Sequence, residues 1–253
     1  MKIVVIGGTG LIGTRLVSKL IRLDHTVIAA SPTSGIDTIT GEGLHDALKG
    51  TDVVVDVSNS PASDPASAST FFKTSTINLI SAELYGGVKH HIALSVVGAE
   101  RLPESGYLRA KLEQEDLIKE SGIPFTILRS TQFFELAGRI AAAATTGEEV
   151  HISPAAFQPV AADEVVDVLA EIVLRPPLND TIEVAGPVAM PMDEFIRYYL
   201  NATEDSHQLI SDEHARYFGA ELNDNSLVPG ENAHLGKIHY EHWFNEQLTQ
   251  SWT

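Results

Sequence analysis

The chain has 253 residues, 43% of them apolar and 20% charged, which suits one large α/β domain or one such domain with a small appended lobe. Its 34 acidic residues against 17 basic ones leave a formal charge of −17 with no basic run to offset it, which argues against nucleic acid or an anionic membrane as partner. There is no cysteine, so disulfides, thiolate metal sites and cysteine nucleophiles are excluded, and neither a signal peptide nor the roughly 20 consecutive apolar residues of a membrane helix can be found; a cytoplasmic protein is expected.

Short β-branched runs then alternate with helical stretches. Lys2 to Ile6 reads as a buried strand, and Leu11 to Leu23, with Ile12, Leu16, Leu20 and Leu23 at helical spacing, as a helix. His25 to Ala30 is a second strand and Ile36 to Thr40 a short third, although Ser31 to Gly35 is too short to hold a crossover helix between them. Leu44 to Lys49 is a brief helix and Asp52 to Val57 a fourth strand. Ser60 to Thr70 reads as a low-complexity loop that is mobile without ligand, followed by a helix from Phe71 to Tyr85. His91 to Ser95 is a fifth strand, Tyr107 to Glu120 a helix closed by Ser121-Gly122, and Pro124 to Leu128 a sixth strand. Strands buried on both faces and alternating with helices imply an α/β fold with a doubly wound parallel sheet.

Beyond about residue 147 the rhythm changes. Glu164 to Leu174 and Asp193 to Leu200 read as helices and Thr181 to Ala185 as an added strand, while the polar stretch from Asn201 onward resists assignment. The expected division is therefore 1–147, a dinucleotide-binding domain, and 148–253, a smaller substrate-binding part.

The first strand runs straight into Gly7-Gly8-Thr9-Gly10-Leu11-Ile12-Gly13 at the mouth of a helix. Gly7 permits the sharp turn, Gly10 lets backbone approach a pyrophosphate, and Gly13 lets the helix pack close to the strand. The N–H groups of the helix start, around Thr9, Leu11 and Ile12, then face the phosphates.

This turn resembles the short-chain dehydrogenase/reductase superfamily, and its closer match is the atypical, NmrA-like branch. The resemblance is carried by GGTGLIG, GEGLHDALKGTDVVVDVS, TINLISAELYGGVKHHIALS and GIPFTILRSTQFFE, which together span about the first 135 residues. It implies a Rossmann-type fold, a nicotinamide cofactor and a substrate cleft completed by the C-terminal part.

At the end of the second strand stand Ala30 and Ser31, where an Asp or Glu would select NAD by binding the ribose hydroxyls. Ser31, Thr33 and Ser34, with charge from Arg15, suit a 2′-phosphate, so NADP(H) is preferred over NAD(H). Two alternatives stay open: Arg15 as a solvated helix residue, and Asp37 reaching the ribose.

Tyr107 and Lys111 have the Y-x-x-x-K spacing that the superfamily uses, which puts both side chains on one helix face. A nearby ammonium favours the phenolate, so Tyr107 is the expected proton donor and Lys111 both its partner and a ribose ligand. Ser95, ending the fifth strand, is placed to hydrogen-bond the reacting oxygen. A second copy of the spacing, Tyr85 to Lys89, is rejected because Gly86 and Gly87 close its helix. Ser58 and Asn59 after the fourth strand, and Ser130 and Gln132 after the sixth, are further expected cofactor contacts; Phe133 and Phe134 either wall a substrate cleft or fill the core. His234, His239, Glu241 and His242 match no zinc motif, and no metal is expected. Trp243, Phe244 and Trp252 cover either a core edge or an interface.

The expected function is an NADP(H)-dependent oxidoreductase acting on a small carbonyl or quinone-like substrate. The alternative is a non-catalytic dinucleotide sensor that regulates a protein partner. A nucleotide-sugar epimerase or dehydratase would ordinarily need a larger lobe than 148–253. Nothing sets the oligomeric state.

Overall fold

The computed structural model describes residues 1–62 and 64–250. In chain order the elements are β1 (Lys2–Ile6), α1 (Leu11–Arg22), β2 (Thr26–Ala30), α2 (Leu44–Leu48), β3 (Val53–Asp56), α3 (Pro65–Gly86), β4 (His90–Val96), α4 (Gly106–Glu120) and β5 (Phe125–Ser130). They continue with α5 (Ala137–Ala143), β6 (Thr145–Thr146), β7 (Glu149–Ile152), β8 (Ala156–Phe157), α6 (Ala162–Val173), β9 (Asp180–Ala185) and β10 (Met190–Pro191). The last are α7 (Met192–Ala202), β11 (Gln208–Ser211), β12 (Arg216–Tyr217), β13 (Ala220–Glu221), β14 (His234–Leu235) and α8 (Tyr240–Gln250).

Seven strands form the central sheet in the order β14-β9-β5-β4-β3-β1-β2. The pairings of β1 with β2 and β3, of β3 with β4, and of β9 with β14 are parallel. This is the doubly wound, Rossmann-like arrangement that the alternation of strands and helices implies. The chain divides into two compact units: Met1–Val96, Gly106–Arg129 and Val165–Ile182 make the first, and Val97–Ser105, Ser130–Glu164 and Glu183–Thr253 the second. Among the described residues no helix is long and apolar enough to cross a membrane.

In the first unit the apolar stripe of α1, Ile12, Leu16 and Leu20, is buried. A core cluster joins Val4, Ile6 and Val54 of the sheet to Leu44 and Leu48 of α2 and Leu79 of α3. The strand expected over Ile36 to Thr40 is absent. Asp37 Oδ1 accepts the amides of Ile39 and Thr40 at 2.7 and 3.3 Å, and Asn78 of α3 donates to the carbonyls of Thr38 and Ile39. Backbone groups spent on these turns cannot join a ladder. The chain instead passes through a 3₁₀ turn at Pro32–Ser34 and uses the short α2 as its crossover to β3.

The loop expected over Ser60 to Thr70 is half helix. α3 begins at Pro65, with the Asp64 carboxylate accepting the Ser67 amide at 2.9 Å, an N-cap followed by proline at the first helical position. Ala68 and Phe72 of this early part are buried against Ala110 of α4, which supplies the tertiary support. Ser63, within the expected loop, lies outside the described residues.

The second unit is built around aromatic packing. Tyr240 of α8 contacts Phe134, Phe195 and Tyr198 with ring centroids 4.1–5.5 Å apart, and Trp243 and Phe244 lie in the same cluster. Phe134, Trp243 and Phe244 thus serve a core; Trp252 lies outside the described residues.

Two adjacent histidines at the start of β4 carry opposite titration signs. His91 Nδ1 lies 2.8 Å from Glu83 Oε1, both side chains being fully buried. Burial pushes this imidazole down, but Glu83 outweighs burial and leaves it above its usual value. His90, bonded to the Thr126 hydroxyl at 2.9 Å, is pushed down to about 4 by burial and then by His91. Stability from a neutral His90 is lost as pH falls from about 6.5 toward that value, whereas stability from the His91 pair is whole below about 6.5 and lost as pH rises through its raised value. Urea unfolding across this range is expected to show both declines. Glu83→Gln is expected to abolish the alkaline one and to lower stability near neutrality, because without its carboxylate partner the buried imidazole is left neutral and the ion pair is lost. An alkaline limb that survives Glu83→Gln contradicts this assignment.

Candidate functional site

The glycine turn hangs on the end of β2, where the amides of Gly7 and Gly8 share the Ala30 carbonyl at 3.0 and 3.1 Å. Gly10 and Gly13 do different work. A Cβ on Gly13 would stand 2.1 Å from the Gly7 carbonyl oxygen, so the first turn of α1 lies where it does only because this residue has no side chain. A Cβ on Gly10 would meet nothing closer than the same oxygen at 3.4 Å, so its space is free of protein. Gly10 caps α1 without any side-chain hydrogen bond, and no acidic residue occupies the first turn. Thr9, Gly10 and Leu11 are exposed there, Ile12 is buried beneath, and Arg15 is half-buried farther along the helix. An uncapped positive helix end beside an open glycine fits a diphosphate.

Ser58 lies against this turn, since a Cβ on Gly7 would come within 2.8 Å of Ser58 Cα, and its buried hydroxyl has no partner within the protein. An orphaned hydroxyl at the turn is a second feature that suits a polar ligand. The Ser31, Thr33 and Ser34 cluster is more occupied. Ser34 Oγ accepts the Ser31 amide and donates to nearby carbonyls, Ala29 at 3.1 Å among them, while Ser31 and Thr33 share one hydrogen bond at 2.8 Å. One hydroxyl proton of the Ser31–Thr33 pair is left for a ligand. Asp37 is engaged by its own turn, as described above.

Tyr107, on the first turn of α4, donates its hydroxyl to Asn59 Oδ1 at 3.1 Å, so the structure brings these two expected site residues together. Its ring lies edge-on to Phe72, with centroids 5.9 Å apart, and the Lys111 ammonium sits 4.5 Å from the centre of the same Phe72 ring. Lys111 is 3% exposed and also donates to the Leu94 carbonyl at 2.8 Å and to Gln114 Oε1 at 2.5 Å. Burial pushes its amine down to about 8, against the opposing pull of Asp56 and Glu115.

Ser95 turns the other way. Its hydroxyl donates to Glu115 Oε1 at 2.6 Å, a carboxylate that also receives Arg129 at 2.9 and 2.8 Å and Lys119 at 3.2 Å. Burial raises Glu115, but Arg129 first and then Ser95 outweigh it and hold the carboxyl below its usual range. Tyr85 and Lys89 share no helix face: α3 ends at Gly86, Tyr85 meets His45 edge-on, and Lys89 pairs with Asp52 at 2.7 Å.

Ser130 and Gln132 belong to the second unit. Ser130 Oγ donates to the Thr131 carbonyl at 2.7 Å, while the Thr131 hydroxyl and Gln132 side-chain oxygen are buried without a protein partner. The sequence reading missed Phe72, Asp56, Gln114 and Glu115. Their available signals are a carboxylate closing an apolar strand, and a polar pair three and four residues beyond Lys111 on its own helix face.

Residues 7–176 match the family described as NAD(P)H-binding. Two curated relatives, both named photosystem II assembly factor Ycf39, come from Synechocystis and Cyanophora paradoxa. They are 28% and 30% identical over 149 residues, 53% of this chain, and the chain spans only 46% of their length. Among solved structures, a dTDP-4-dehydrorhamnose reductase ortholog from Clostridium acetobutylicum is similar at TM-score 0.76 and 16% identity, covering 99% of this chain and 100% of that one. RMD from Pseudomonas aeruginosa complexed with NADPH is similar at 0.73 and 14%, covering 100% and 99%. UDP-glucose 4-epimerase from Thermotoga maritima is similar at 0.73 and 15%, covering the whole of both chains. At these identities the likeness is one of fold.

The contrast between the two glycines is testable. Gly10→Val fills space that no protein atom uses, so it is expected to leave circular dichroism unchanged and to abolish NADPH binding. Gly13→Ala strikes the Gly7 carbonyl and is expected to lower the unfolding midpoint as well. A folded Gly10→Val protein that binds NADPH at full strength refutes the phosphate role of this turn.

Proposed function

The chain belongs to the NAD(P)H-binding family, and from that membership we propose that it is an NADP(H)-dependent oxidoreductase that reduces a small carbonyl or quinone-like compound. The observation that carries this reading is the placement of Tyr107, whose hydroxyl meets Asn59 at the C-terminal end of the sheet while its ring and the buried Lys111 ammonium both contact Phe72. Gly7, Gly10, Gly13 and the N-terminus of α1 hold the diphosphate, with Ser58 and Asn59 beside them, and Ser31, Thr33 and Arg15 receive the 2′-phosphate. Ser130 and Gln132 are proposed for the carboxamide. When bound, the cofactor supplies a hydride. Tyr107 gives the proton to the carbonyl oxygen, and the ammonium of Lys111 favours the phenolate left behind. Ser95 reaches a substrate oxygen as a donor only by leaving Glu115.

The last point favours a second reading, a cofactor-binding protein without turnover that acts on a protein partner. The relatives' name, assembly factor, supports it too.

Two variants separate these readings. Tyr107→Phe is expected to leave NADPH affinity unchanged and to slow ketone reduction by roughly 10²–10⁴-fold, the usual loss of a general acid. Equal ketone turnover by wild type and Tyr107→Phe overturns the assignment, and tight NADPH binding with no turnover on a broad panel favours the second reading. Ser31→Asp sets a carboxylate against the 2′-phosphate and is expected to reverse the cofactor preference in calorimetry. Wild-type affinities that are equal for the two cofactors, or higher for NADH, contradict the NADP(H) proposal.

A further inference from the structure

Asp56 closes β3 and is 2% exposed. Its two oxygens serve two different segments: Oδ1 accepts the Ser58 amide at 2.9 Å, and Oδ2 accepts Gln114 Nε2 at 2.9 Å. A carboxamide whose N–H end is bound to a carboxylate must present its oxygen at the other end. That oxygen faces Lys111 Nζ. With the amide reversed, donor would face donor at Lys111 and acceptor would face acceptor at Asp56. The charged groups facing the amine are Asp56 from β3 and Glu115 from α4; β4 contributes only the Leu94 carbonyl and α3 only the Phe72 ring.

We propose that Asp56 is a positioning residue of the cofactor site: through Gln114 it sets where the Lys111 amine points, and through the Ser58 amide it sets the loop that lies against the glycine turn. One buried carboxylate thereby ties two parts of the site that are more than fifty residues apart in the chain. The functional meaning rests on Lys111 as a cofactor ligand, whereas the linkage itself is built without any ligand.

The test follows the lysine methylene signals of cofactor-free protein by NMR across a pH series, with Lys111→Arg to assign the resonance. Asp56→Asn keeps the shape and removes the charge, so the Lys111 midpoint is expected to fall by about one unit from its position near 8. NADPH affinity, flat while the amine is protonated, then begins to weaken at a pH lower by the same amount. Gln114→Leu removes the bridge but leaves Asp56 on Ser58, and it is expected to lower the midpoint also; it carries the test if Asp56→Asn does not fold. Asp56 also acts on the amine by its charge alone, so Gln114→Leu, which keeps that charge, is the variant that separates positioning from simple attraction. An unmoved Lys111 midpoint in either folded variant overturns the proposal. A midpoint that moves while NADPH affinity shows no pH dependence in any variant supports the positioning role and removes Lys111 from the cofactor site.

Discussion

Helix α4 is tied to three neighbouring strands through the side chains of one inner face. Lys111 reaches the Leu94 carbonyl of β4, Gln114 reaches Asp56 at the end of β3, and Glu115 gathers Ser95 of β4 and Arg129 of β5. Gln114 and Glu115 are 2% and 0% exposed, so these bonds are made where water does not compete, and each is costly to leave unmade. The placement of Tyr107, one turn before Lys111 on the same face, follows from this fixing of the helix. Neither residue would hold its position from helix propensity alone.

The same wiring explains what sequence reading can and cannot reach. Periodicity found nearly every large element, because β-branched runs and the Leu16 and Leu20 stripe of α1 are local signals. It failed at Ile36 to Thr40, where an apparently strand-like run is taken up by the Asp37 carboxylate and by Asn78, forty residues away. It also missed the start of α3, although Asp64-Pro65 is a readable cap followed by proline; low complexity masked it. The stretch after Asn201 gave no pattern over its strands, which have only two to four residues, and the eleven-residue α8 within it was missed as well. The glycine turn was legible as a turn into α1 since its spacing lies within one segment. The carboxylates were not, because their partners depend on how α4 lies across the strands.

A chain of charge −17 has to bind an anion against its own long-range field. That field is screened beyond about 10 Å at ordinary ionic strength, so the nearest groups decide the matter. Around the glycine turn the first turn of α1 carries no acid, and the basic residues Lys19 and Arg22 stand in its last turn, where they complement the negative end of the helix. The two buried carboxylates nearest Lys111 are both occupied by donors, Asp56 by amides and Glu115 by Arg129, Ser95 and Lys119. Acidity over the rest of the surface is therefore compatible with an anion site made of backbone amides.

Proton accounting then limits the chemistry. A serine hydroxyl has one proton, and that of Ser95 lies on an ionised carboxylate, a stronger acceptor than a neutral carbonyl. While that bond stands, Ser95 can receive a hydrogen bond but not give one. An alcohol or a protonated phenol satisfies such a group; a ketone oxygen does not. In the proposed reduction the proton comes from Tyr107, whose hydroxyl donates to the neutral amide oxygen of Asn59, an acceptor weaker than a carboxylate. Of these two hydrogen bonds, the one from Tyr107 to Asn59 is the less costly to give up.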